Sequence, residues 1–126
     1  MLFKIQDKIL LSKAKKSGIL CHRVSLNEYK YYLNKMIFLA KKHHIKVILL
    51  TRPFIGESPN EFWWKNYAPR YNELTLEIAK ERNIPVIDLH CYFKTRTDKF
   101  SDESHFNDTG HREAAEIVYS FIRNRL

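Results

Sequence analysis

The sequence predicts an α/β domain, an incomplete three-layer α/β/α arrangement with a parallel sheet, on three observations. Helical and strand-like segments alternate along the chain, an order that calls for a parallel sheet with helices on its faces. Val47-Ile48-Leu49-Leu50 is a continuous apolar run of the kind a strand buried on both faces requires. Only one further strand is evident, at residues 86–89. A parallel sheet of two strands buries little core by itself, so the sequence reads as half of a doubly wound domain.

The elements follow in order. Residues 3–16 place Phe3, Ile5, Ile9, Leu10 and Ala14 at an imperfect helical spacing before Ser17-Gly18, which reads as a stop. Ser25-Leu26-Asn27-Glu28 is a capping box, in which the Ser25 side chain accepts from the Glu28 amide and the Glu28 carboxylate reaches back. The helix it starts has Tyr29, Leu33, Ile37 and Ala40 on one face and should end near His43-His44. After the strand at 47–50, Pro53, Gly56, Pro59 and Pro69 break a long stretch that carries Phe54, Phe62, Trp63, Trp64 and Tyr67. A loop of that length in a compact domain is commonly functional. Here the aromatics either wall a pocket or fill the gap beneath the loop. Tyr71, Leu74, Ile78 and Ala79 form a second helical stripe, which Asn83-Ile84-Pro85 ends before the strand at 86–89. A last helix over residues 110–126 turns Ala114, Ala115, Val118 and Phe121 or Ile122 inward.

Charge and cysteine usage exclude several function classes. The net charge is +8, but residues 1–46 hold 11 Lys and Arg against 2 Asp and Glu, whereas residues 47–126 hold 11 against 12. The excess is confined to the first third, where Lys13, Lys15 and Lys16 read as a solvated face, and no nucleic-acid reader motif accompanies it. The longest uninterrupted apolar run, residues 36–40, is far short of the roughly 18 residues a membrane span needs. No membrane partner is expected, and the chain as given reads as cytoplasmic. Cys21 and Cys91 lie far apart without CxxC spacing and read as reduced thiols, each behaving as a small buried hydrophobe.

The chemistry concentrates between the second strand and the last helix, where open α/β sheets carry functional loops at the carboxyl ends of their strands. Asp102 precedes His105 by three residues in a turn. A carboxylate so placed can accept from the imidazole Nδ1–H and leave Nε2 as a base. Asn107 or Thr109 can cap the following helix and so hold that base on a rigid support. Taken alone, such a pair is more often a surface His beside an Asp. His90, Cys91, Asp102, His105 and His111 fit no metal-ligand spacing, so neither metal nor cofactor is expected. Asp88 reads as a structural carboxylate.

Asp102-x-x-His105-Phe106-Asn107-x-x-Gly110-His111, followed by an Ala-containing amphipathic helix, resembles the last signature block of the SGNH/GDSL serine ester hydrolases. The segments around residues 23–29, 47–53, 71–73 and 83–89 are similar to the elements that precede that block in the family. The resemblance implies a flavodoxin-like α/β/α fold, with Asp102 the orienting acid and His105 the general base of a Ser-His-Asp mechanism acting on acyl esters of carbohydrates, lipids or small alcohols. The family's nucleophile block, Gly-Asp-Ser, and its Gly-x-Asn-Asp block do not occur in this sequence. Ser101, Ser104 and Cys91 are candidate replacements, each better explained structurally.

The resulting expectation is a single partial domain over 1–126, with a basic, helical lead-in at 1–22 and the C-terminal half of a hydrolase domain at 23–126. Such a chain alone should be inactive. Its expected partners are an acyl ester substrate in the complete enzyme and a missing N-terminal half, or a second copy joined through the edge at residues 47–50. The alternative is a noncatalytic remnant, or a binding module for an anionic partner.

Overall fold

The computed structural model describes residues 24–55 and 67–125. The helix expected over 3–16, Cys21 and the loop residues 56–66 lie outside them.

Helix α1 (Leu26–Lys42) starts at the capping box read from the sequence. Ser25 Oγ accepts from the Glu28 amide at 3.1 Å, and the Glu28 carboxylate accepts from the Ser25 amide at 2.9 Å. The helix stops at His43, and His44 follows with a positive φ of 56°. Strand β1 (Leu49–Leu50) comes next. Helix α2 (Ala68–Arg82) carries Pro69 in its first turn, where no intrahelical amide is needed. It ends on Asn83 in the left-handed conformation that its short polar side chain tolerates. Strand β2 (Val86–Ile87) then runs parallel to β1, with Leu49 beside Val86 and Leu50 beside Ile87. A short helix α3 (Leu89–Phe93), a 3₁₀ turn (Thr97–Lys99) and helix α4 (Asp108–Arg123) complete the order.

The sheet is covered on both faces, which makes three layers. On one face Ile37 of α1 and Ile78 and Ala79 of α2 pack with Leu49 and Ile84. On the other, Ala114, Ile117, Val118 and Phe121 of α4 pack against a cluster of Ile87, Leu89, Phe93 and Phe100. The expected alternation and parallel sheet are therefore present.

Four expectations of detail are corrected. Each strand has two residues rather than four, because the β2 segment begins after Pro85, which lacks an amide, and ends at Asp88. Leu89 belongs to a helix rather than a strand, since the Asp88 side chain accepts from the Cys91 amide at 3.0 Å and turns the chain into α3. Leu50 is 43% exposed rather than buried, as β1 has no second neighbouring strand among the described residues. The last helix starts at Asp108, and its inward stripe runs through Ala114, Ile117, Val118 and Phe121, which leaves Ala115 exposed.

Candidate active site

The carboxyl ends of the two strands are locked by side chains instead of a longer ladder. Thr51, 1% exposed, donates its hydroxyl to Asp88 Oδ1 at 2.7 Å and accepts from the His90 amide at 2.9 Å. Asp88 thus has the structural part read from the sequence. One residue further on, Asn72 of α2 takes hold of the Arg52 backbone at both its polar groups. Its Oδ1 accepts from the Arg52 amide at 2.8 Å and its Nδ2 donates to the Arg52 carbonyl at 2.9 Å. Sequence reasoning missed Asn72, although its placement beside Tyr71 on the inner stripe of α2 marked it as a polar residue that burial would oblige to find partners.

From that base the chain reaches the Asp102–His105 turn, which is the tip of a small hairpin. Phe100 and Phe106 bridge antiparallel, the Ser101 amide donates to the His105 carbonyl at 2.8 Å, and the Asn107 amide donates to the Lys99 carbonyl at 3.0 Å. The Phe106 ring packs at a tilt 4.6 Å from Phe93 and 4.9 Å from Phe100, so the hairpin's apolar side is sunk in the α4-facing core. The Ile55 amide donates to the Glu103 carbonyl at 2.9 Å and ties the tip to the segment leaving β1.

Two elements fix the base of the hairpin. Asn107 Oδ1 accepts from the Gly110 amide at 3.0 Å and so caps α4, while its Nδ2 donates to the Asp98 carbonyl at 2.7 Å. Gly110 is buried, and a Cβ there would fall 2.1 Å from the Lys99 carbonyl oxygen. Glu113 of α4 forms a clasp below them. It accepts from the Tyr92 hydroxyl at 3.0 Å and pairs with Arg96 and, at 3.3 Å, with Lys99. Burial presses the Glu113 carboxyl upward, but Tyr92, Lys99 and Arg96 outweigh it and leave its pKa below the ordinary value.

Asp102 and His105 lie in direct contact at this tip. Both Asp102 oxygens lie 2.8 Å from His105 Nδ1, and Oδ1 also accepts from the amides of Ser104 and His105 at 2.9 Å each. The Ser104 amide first, and the His105 ring second, hold the Asp102 carboxyl below the usual carboxylate range. With Nδ1–H donating to the carboxylate, Nε2 carries the free lone pair, and no described residue occupies it. The pair is open to water, His105 being 73% and Asp102 49% exposed at the side chain. It is oriented without being insulated.

The other candidates do not converge on that nitrogen. Ser104 Oγ approaches His105 at Nδ1, 3.5 Å away, on the carboxylate side of the ring. Ser101 Oγ faces the Phe106 carbonyl at 3.5 Å. Cys91 is exposed on α3, which corrects the expectation that it is a buried hydrophobe; the cap at Asp88 turns it out of the sheet line. His90 stacks on Phe54 at 4.0 Å with its Nδ1 buried and unpartnered, and burial pushes its pKa down. Among the described residues, no three His, Cys, Asp or Glu side chains form a metal-binding group. No helix among them is long and apolar enough to cross a membrane.

The model of the GDSL-like lipase/acylhydrolase family matches residues 20–113, a span that includes Asp102, His105 and Gly110. Comparisons with curated proteins and with solved structures return no match.

Proposed function

We infer, from a chain that belongs to the GDSL-like lipase/acylhydrolase family, that Asp102 and His105 are the acid–base half of an acyl ester hydrolase. The observation that carries this reading is the bidentate approach of Asp102 to His105 Nδ1, with Nε2 left open. In the proposed mechanism Asp102 holds the ring in one tautomer. His105 Nε2 removes the proton of an attacking hydroxyl as its oxygen bonds the ester carbonyl carbon, and the carboxylate stabilises the resulting imidazolium. That proton passes to the leaving alkoxide as its C–O bond breaks, and water activated by the same nitrogen then releases the acid and restores the hydroxyl. The attacking hydroxyl comes from a polypeptide segment bearing the Gly-Asp-Ser block that this sequence lacks, and the same segment supplies the donors for the oxyanion. Carbohydrate, lipid and small-alcohol esters are the candidate substrates.

The test is hydrolysis of p-nitrophenyl acetate with and without a co-expressed Gly-Asp-Ser segment. The chain alone should not exceed free imidazole, and the assembled pair should show turnover that His105→Ala abolishes. A noncatalytic remnant instead predicts that His105→Ala and Asp102→Ala change nothing in either preparation. Turnover by the chain alone, with an active-site probe attached to Ser101, Ser104 or Cys91, would refute the external nucleophile.

A further inference from the structure

A cavity of about 470 Å³ lies at the end of the sheet opposite the Asp102–His105 hairpin, where the chain enters both strands. Proteins hold small ligands in cavities of about 300–1,000 Å³. The walls come from the segment leading into β1, the turn leading into β2 and the end of α4. Ile45, Ile48 and Ile122 supply apolar surface, and Lys46 and Arg125 supply charge. None of the described residues lining the cavity carries a carboxylate.

The cations are not all accounted for by the fold. Helices α1, α2 and α4 all end nearby, and their terminal carbonyls favour positive charge. Lys41 serves that purpose, donating to the Arg82 carbonyl at 3.2 Å. Lys46 and Arg125 lie beyond the last turns of α1 and α4, and neither has an ion-pair partner among the described residues. Arg125 rests over the Phe121 ring at 4.2 Å, a contact that positions a guanidinium without neutralising it. Ile45, 60% exposed, continues the apolar surface outward to the mouth. A neutral apolar ligand would leave the two charges unused, and a polyanion would gain nothing from the isoleucines. The complementary ligand has one anionic head and an apolar tail.

We propose that this cavity binds an amphiphilic carboxylate of medium chain length, the acyl chain against the isoleucines and the carboxylate between Lys46 and Arg125. Binding here requires neither the hairpin nor a nucleophile, so the site stands or falls apart from the hydrolase reading.

The experiment is a titration of the full chain with sodium decanoate, followed by backbone amide NMR, with 1-decanol as the uncharged comparison. Saturable shifts at residues 45–48, 83–84 and 122–125 are expected, with decanol at least tenfold weaker. The double variant Lys46→Glu/Arg125→Glu should weaken decanoate by tenfold or more. Ile45→Glu, a change at a solvent-facing position, should do the same, while Lys35→Glu on the outer face of α1 should leave the affinity unchanged. Equal affinity for decanol, a double variant within twofold of the parent, or no shifts at millimolar decanoate would each overturn the proposal. So would shifts at the same amides on raising protein concentration alone, since a second copy would then be the occupant.

Discussion

Replacing Gly110 by Ala should destabilise the protein, although glycine in a helix normally gives way to alanine with a gain of about 1 kcal/mol. The added Cβ would sit 2.1 Å from the Lys99 carbonyl oxygen and 2.8 Å from the Phe106 ring. Carbon–oxygen contacts normally begin at about 3.3 Å, so more than 1 Å must be recovered by moving backbone rather than a flexible side-chain end. The first turn of α4 and the Lys99 carbonyl are joined through the Asn107 amide at 3.0 Å, and separating them strains a hydrogen bond of about 0.5–1.5 kcal/mol. Overpacking against the Phe106 ring adds about 1–3 kcal/mol. After the helix-propensity gain, a net loss of about 1–3 kcal/mol remains. Urea unfolding with a slope of about 1–3 kcal/mol per molar should show it as a midpoint lower by roughly 1 M. Amide shifts of Ser101 and His105 should change together, because the displaced base carries the hairpin. A variant as stable as the parent or more so, with those amides unmoved, would show that the close approach does not position the site.

Asn72→Ala should lower stability by about 1–3 kcal/mol, from two lost hydrogen bonds to the Arg52 backbone, read as a lower denaturant midpoint. Ser25→Ala should cost about 1 kcal/mol by removing the cap of α1, with faster hydrogen exchange confined to its first turn. The Asp102 carboxyl lies below its unfolded pKa, so its contribution to the hairpin is present above the ordinary carboxylate range and lost as pH falls through the lowered value. Acid titration of the Ser104 and His105 amides should follow that single carboxyl, and Asp102→Asn should remove the transition.

Local chemistry was the legible part of this chain. Ser25 with Glu28, Asn83, and Asn107 as the cap of α4 each make their end-of-helix contacts within about four residues of their own position, and the structure places each as the sequence implies. Asp102 and His105 belong to the same class, since their geometry is a turn property. What escaped was set by distant partners. Residues 86–89 have the apolar content of a longer strand, yet the Asp88 side chain bonds both Thr51 and the Cys91 amide and converts the segment to a helix. Asn72 becomes important only because Arg52, 20 residues earlier, is carried past it. Leu50 has the side chain of a core residue, and its exposure depends on which strands lie beside β1.

The hairpin is bound mainly by partners close in sequence. Its bridge, its carboxylate–imidazole contact and the Asn107 cap all close loops of nine residues or fewer, whereas the Ile55 amide reaches Glu103 across 48 positions. Short loops close at little entropic cost and early, and long ones close late. The expected order is therefore that the Asp102–His105 contact forms before the Ile55 tether to the segment leaving β1.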